Sequence, residues 1–308
     1  MKAGSNLEKV FAAGHLAVTG ELGPPRGADT GHIHEKGKYL IGMVDSVNVT
    51  DNQTAVVRMA SMAVCRLLLD MGLEPNLQMV CRDRNRLAIQ ADLLGASGLG
   101  IKNVLCLSGD HQKFGDHPQA KNVFDIDSMQ LIATVKKMRD EGKLINDHEC
   151  EGVPPYFIGA AVNPFADPFD FRVTRLAKKI EAGVDFIQTQ CIYNMEKFRT
   201  YMQQAYDQGL TEKCYIMAGI TPLKSVGMAR YMQKFVPGLE VGEDYIERLK
   251  GVDKKKQGDE GIKIAIEQMQ EVKEIKGIAG IHVMAIEWEE RVEELVTGAG
   301  LLPRPQVA

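Results

Sequence analysis

Among the residues of this chain, Glu21 has the placement most suited to chemistry. It closes the apolar run HLAVTGE (15–21) and is followed by Leu22, Gly23 and the pair Pro24-Pro25. Paired prolines fix φ and remove N–H donors, so this carboxylate sits on a stiff turn with little access to water. A carboxyl in such surroundings loses solvation of its charged form and is suited to give a proton near neutral pH. The other reading is a surface glutamate that happens to precede prolines. Asp110, in LCLSGDH, follows Gly109, whose missing side chain would let a ligand approach the backbone. It could equally be a helix N-cap or loop aspartate. Gln190, in FIQTQC, is a neutral amide in an apolar run. Its donor and acceptor both need partners, from a ligand or from a neighbouring side chain.

These residues share a position: each lies at or near the end of a short apolar run. Eight such runs occur, at 15–21, 44–50, 76–81, 103–109, 156–162, 185–191, 214–220 and 280–286. They alternate with helical patterns such as 55–72, 86–98, 128–142 and 171–183, several of which end at glycine. No GxGxxG follows any run, and eight βα units fit a (β/α)8 TIM barrel better than a doubly wound sheet. The expectation is one α/β domain over 1–308, with a short N-terminal segment 1–14 and an excursion at about 236–260. In that fold, reactive residues gather at the C-terminal ends of the strands. Thr50, Asn52, Arg82, Asp83 and Asn163 join Glu21, Asp110 and Gln190 there. His282 reads as a strand or core histidine, His32 and His34 as a solvated loop, and Lys254, Lys255 and Lys256 as a solvated turn. The stretch 110–126 is a long connection on the same expected face.

With 44% hydrophobic and 25% charged residues, the 308-residue chain has the composition of a folded globular protein. A net charge of −4 without a recurring Lys/Arg stripe argues against nucleic acid as a partner. The first residues lack the apolar core of a signal peptide, and no apolar run reaches the ~18 residues of a membrane span. A cytoplasmic location is therefore expected. The six cysteines are scattered singly, without CxxC or Cys/His spacing, which reads as free thiols and no resident metal.

The order of the strand-end residues resembles the methylenetetrahydrofolate reductase family. The resemblance is carried by the Glu21-X-X-Pro-Pro turn, CRDRN (81–85), GIKNVLCLSGD (100–110), TQ (189–190), AGITPL (218–223) and GLLPRP (300–305). It is closest to the short bacterial form, and most of all to the acetogen-type catalytic subunit that works beside an iron–sulfur partner. The resemblance implies a flavin-containing barrel that interconverts 5,10-methylenetetrahydrofolate and 5-methyltetrahydrofolate in one-carbon metabolism of the Wood-Ljungdahl type. It implies Glu21 as general acid, Asp110 as a pterin ligand that tunes the flavin, and Gln190 as a ligand of the pterin edge. Thr50, Asn163 and Lys179 would serve the cofactor, with Lys179 meeting flavin phosphates.

Several positions depart from the family pattern. Ser108 stands where many members have arginine, and Gln78 where many have histidine. The residues usually contacting the adenine half of FAD are not evident in 160–172, which leaves FMN open beside FAD. Met228 and Met232 replace residues that hold folate and stack nicotinamide. Direct NAD(P)H binding is thus in doubt, and an iron–sulfur/zinc electron-transfer subunit is the expected donor. Two other readings are a flavin-free barrel that binds methyltetrahydrofolate for methyl transfer, and a non-catalytic barrel subunit.

Overall fold

The computed structural model describes residues 1–236 and 238–307. Eight strands pair in parallel and in chain order, and β1 closes on β8: β1 (Ala17–Leu22), β2 (Ser46–Val49), β3 (Pro75–Val80), β4 (Asn103–Leu107), β5 (Phe157–Val162), β6 (Phe186–Cys191), β7 (Tyr215–Ile220) and β8 (Ile278–Val283). Each lies within the span of an apolar run or within two residues of it. The helices are α1 (Asn6–Ala12), α2 (Gly31–Gly37), α3 (Ser61–Asp70), α4 (Arg86–Gly98), α5 (Ser128–Glu141), α6 (Arg172–Ala182), α7 (Met195–Asp207), α8 (Val226–Phe235), α9 (Glu243–Lys250), α10 (Gln257–Lys273) and α11 (Val292–Gly298). This is a closed (β/α)8 barrel, and among the described residues no helix is long and apolar enough to cross a membrane.

Local chemistry sets the helix limits. Asn85 accepts from the N–H groups of Leu87 and Ala88 at the start of α4, and Asp127 with Gln130 forms a reciprocal capping box on α5. Gly142 and Gly183 end α5 and α6 with φ of 66° and 114°, conformations that side chains disfavour. The helical pattern at 55–72 starts later than expected, at Ser61. Residues 52–55 instead form a tight turn in which Asn52, Thr54 and Ala55 have φ of 43°, 58° and 58°. The stretch holding His32 and His34 is α2, not a loop.

The outer faces of the strands pack on the helices through residues such as Val18, Val47, Leu77, Val104, Ile158 and Ile187. The lower end of the barrel is apolar: Leu105, Phe157, Phe186 and Met217 meet Leu7, Val10 and Phe11 of α1. The N-terminal segment is thus a plug. Phe157 and Phe186 stack at 5.2 Å, and a Cβ on Gly159 would lie 2.3 Å from the Phe186 ring, so the glycine makes room for it. The excursion is largely folded. Leu239, Val241, Ile246 and Leu249 build a second core with Tyr193, Leu223 and Met232, and Lys254, Lys255 and Lys256 lie exposed as expected; residue 237 of the excursion is outside the described residues. All six cysteines are free thiols.

Candidate active site

Side chains along a strand alternate between faces, so β1 sends Thr19 and Glu21 into the barrel while Val18 and Leu22 pack outward. Glu21 is buried, 8% exposed. Its Oε2 lies 3.4 Å from Gln78 Nε2 and 3.6 Å from His282 Nε2, the second beyond hydrogen-bond range but a close electrostatic contact. Its Oε1 makes no hydrogen bond with any described residue. One carboxylate oxygen is therefore held from behind and the other is available.

Barrel interiors are usually filled by branched apolar side chains. Here the layer beneath Glu21 is polar. Gln188 Nε2 donates to Thr19 Oγ1 (3.1 Å) and to Asn48 Oδ1 (3.2 Å), and Gln188 Oε1 accepts from Asn48 Nδ2 (2.6 Å). Asn76 Nδ2 also donates to Asn48 Oδ1, at 2.8 Å. Both donors and the acceptor of Gln188 are thereby committed. Thr19 Oγ1 also lies within hydrogen-bond distance of His282 Nδ1, at 2.9 Å. The other ring nitrogen, Nε2, is the one that faces Glu21.

The rim is also prearranged. The buried Arg82 guanidinium binds both oxygens of Asp83 (2.7 and 2.6 Å) and donates to the main-chain oxygens of Asp110 (3.1 Å) and Asn52 (3.2 Å). One residue of the loop after β3 therefore ties down the loops after β2 and β4. Gly115 approaches Ala55 so closely that a Cβ would lie 1.8 Å from its carbonyl oxygen. Asp110 is exposed and its carboxylate makes no hydrogen bond within the described chain. Thr50 is buried with its hydroxyl unpartnered. Gln190, at the end of β6, is half-buried. Its Oε1 accepts from the Cys191 backbone N–H at 3.1 Å, while its Nε2 has no partner within the described residues.

Beside this mouth, between the ends of β4 and β5 and the helices α5 and α6, lies a cavity of about 280 Å³. Ser108, Ser128, Asn163, Arg172, Arg175 and Lys179 line it. Lys179 is buried, forms no ion pair among the described residues, and burial pushes its amine below the ordinary lysine range. Asn163 Oδ1 accepts from the Phe165 N–H at 2.9 Å. Three cations, hydroxyls and an amide around a small cavity form a donor set suited to a phosphate. A flavin phosphate fits these residues.

The structure therefore brings Glu21, Thr50, Asp110 and Gln190 to the C-terminal ends of four strands around one mouth, and sets Asn163 and Lys179 in the adjoining cavity. Sequence reasoning did not single out Thr19, Asn48, Asn76 and Gln188, and it left His282 as a core residue. Their signal is polar residues at alternate positions: Thr19/Glu21, Asn48/Thr50, Asn76/Gln78 and Gln188/Gln190 all point inward.

A sequence profile described as methylenetetrahydrofolate reductase matches residues 6–300. The chain belongs to this family. It is 24% identical over 235 residues to methylenetetrahydrofolate reductase 1 of Schizosaccharomyces pombe, covering 76% of this chain and 37% of that protein. To methylenetetrahydrofolate reductase 2 of the same yeast it is 28% identical over 247 residues, covering 74% and 36%. The chain thus spans little more than a third of the length of these methylenetetrahydrofolate reductases. Among solved structures it superposes with a TM-score of 0.62, at 12% identity and over 96% of this chain and 97% of the other, on a Clostridium thermocellum protein described as binding two copies of 5-methyl-5,6,7,8-tetrahydrofolic acid. At that identity the likeness establishes the fold alone. Family membership bears out the resemblance drawn from the Glu21-X-X-Pro-Pro turn and the motifs that follow it.

Proposed function

We propose that the chain is a flavin-dependent methylenetetrahydrofolate reductase subunit that interconverts 5,10-methylenetetrahydrofolate and 5-methyltetrahydrofolate, with Glu21 as general acid. The observation that carries this reading is the placement of Glu21 at the mouth, with one oxygen available and the other backed by Gln78 and His282. The five-membered ring of the substrate must open before its methylene carbon can accept hydride. Glu21 donates a proton to N10, the N10–CH2 bond breaks, and the methylene carbon remains on N5 as an iminium. The Nε2 of His282 faces the carboxylate that forms. Asp110 and Gln190 hold the pterin.

A bound flavin, FAD or FMN, supplies the hydride. Lys179 and Asn163 would hold its phosphate, and Thr50 its ring side. The sulfur of Met228 accepts from the Lys224 N–H at 3.4 Å, and buried Met232 lies against the Tyr193 hydroxyl at 3.7 Å. Neither methionine offers an aromatic face to a nicotinamide, which supports delivery of electrons by an iron–sulfur/zinc partner subunit in the cytoplasm. A flavin-free methyl-transfer barrel would share the pterin contacts, and the Clostridium thermocellum likeness is compatible with it. The buried, unpaired Lys179 favours the flavoprotein.

The test is Glu21→Gln under anaerobic assay with a chemically reduced viologen as donor. Flavin content and folate affinity are expected to stay intact while turnover falls by about 10²- to 10⁴-fold, the usual weight of a general acid. An unimpaired rate would remove Glu21 from the mechanism.

A further inference from the structure

We infer that Cys191, backed by Thr221, is a positioning residue that fixes the Gln190 amide so that Gln190 acts only as a hydrogen-bond donor to the pterin. This rests on the reductase reading above.

The sequence TQCIYN ends β6 at an irregularity. The register of β6 against β7 shifts between Gln188 and Cys191, where Cys191 comes opposite Gly219. A Cβ on Gly219 would lie 2.3 Å from the Thr189 carbonyl oxygen and 3.0 Å from that of Gln190, so only glycine admits this approach. Thr189 Oγ1 accepts from the Gly219 N–H at 2.9 Å and closes the gap. The shift lets the Gln190 side chain fold back over the next residue. Its Oε1 accepts from the Cys191 N–H at 3.1 Å and lies 3.5 Å from the Cys191 sulfur. A backbone N–H can be met only by the amide oxygen, so the NH2 must point the other way.

The thiol is itself anchored. Cys191 Sγ lies 3.0 Å from Thr221 Oγ1, and the Thr221 carbonyl accepts from the Tyr193 hydroxyl at 2.8 Å. Burial, with the nearby Glu21 charge, pushes the thiol up to about 11, so at neutral pH it keeps its proton and can donate to Gln190. The Thr221 hydroxyl then donates to the sulfur. The remaining Gln190 Nε2 has no partner within the described chain and is matched to an acceptor on the pterin, its carbonyl oxygen or a ring nitrogen lone pair. A substrate edge offering only N–H groups would be refused.

The experiment is steady-state kinetics of the flavin-loaded chain with 5,10-methylenetetrahydrofolate and reduced viologen, for wild type, Cys191→Ala, Cys191→Ser, Gln190→Ala and the double variant Q190A/C191A. Loss of one supporting hydrogen bond, worth about 1 kcal/mol, predicts a folate KM raised roughly fivefold in Cys191→Ala. Its kcat and flavin content should stay near wild type. Cys191→Ser keeps a donor and should restore KM, and Cys191→Ala should add nothing in the Gln190→Ala background. An unchanged KM in Cys191→Ala, or full additivity with Gln190→Ala, overturns the inference. If Cys191→Ala does not fold, Thr221→Val takes its place: a raised KM supports the inference and an unchanged KM overturns it. A wild-type chain that loads flavin yet neither binds nor turns over the folate overturns the reductase reading as well. An active wild type with an indifferent Cys191 overturns only this assignment.

Discussion

Replacing Lys179 by methionine should move stability and cofactor affinity in opposite directions. The buried amine lines a cavity beside Arg172 and Arg175, without an ion pair among the described residues, and burial pushes it below the ordinary lysine range. Methionine keeps most of the apolar stem and removes the charge. The flavin-free chain should then gain on the order of 1 kcal/mol, or roughly 2 °C in melting temperature. The sign with pH follows from the lowered pKa. In the window between the folded and the unfolded value the unfolded chain binds more protons, so the penalty of Lys179 is full below the folded value. It fades as pH rises toward the unfolded lysine value, and the advantage of Lys179→Met should fade with it. A flavin phosphate loses a charge-assisted hydrogen bond worth about 1.5–3 kcal/mol, which is roughly 10- to 150-fold in Kd. Quenching of flavin fluorescence measures this, with riboflavin, which lacks the phosphate, as control. If Lys179→Met weakened riboflavin as much as FMN and FAD, or lowered the melting temperature of the flavin-free chain, the phosphate role would be refuted.

Two further substitutions probe the mouth. Asp110→Asn should leave stability within about 0.5 kcal/mol, because the carboxylate makes no bond within the described chain, yet weaken folate binding and alter the rate of flavin reoxidation. Unchanged folate titrations and stopped-flow traces would exclude Asp110 from the site. His282→Phe takes one of its two hydrogen-bond partners from the buried Thr19 hydroxyl and removes the ring nitrogen facing Glu21; denaturant unfolding should show a loss of about 1–3 kcal/mol, and folate turnover should fall more than tenfold with flavin content retained. Wild-type turnover in that variant would show that Glu21 works without its neighbour.

The barrel was legible because a buried parallel sheet leaves continuous apolar runs, and all eight appear in the sequence. Glu21, Asp110 and Gln190 were legible because they interrupt or end those runs. The polar layer was harder to see. Asn48 and Gln188 are single amides inside apolar segments, and what makes them a network is the closure that sets β2 and β6 across the barrel from each other. Closure is a long-range property that no local pattern carries. The same holds for α1, whose amphipathic turn looks like a frayed terminus until Phe11 is seen under Phe157 and Phe186. The turn at 52–55 was missed for another reason: Asn52 tolerates left-handed backbone, but Thr54 and Ala55 disfavour it, and they adopt it where the loop after β4 packs closely on Ala55 through Gly115.

Whether this barrel is a flavoprotein acting on folate is read most directly from the visible spectrum of the purified chain under anaerobic conditions. After reduction by viologen, 5,10-methylenetetrahydrofolate is added, and the mass of the chromophore released on denaturation is then determined. The expected result is a stoichiometric flavin, FAD or FMN by mass, whose bleached spectrum returns as 5-methyltetrahydrofolate forms. A colourless chain that neither flavin can reconstitute, or a bound flavin that stays reduced in the presence of the folate, would contradict the proposed reductase activity.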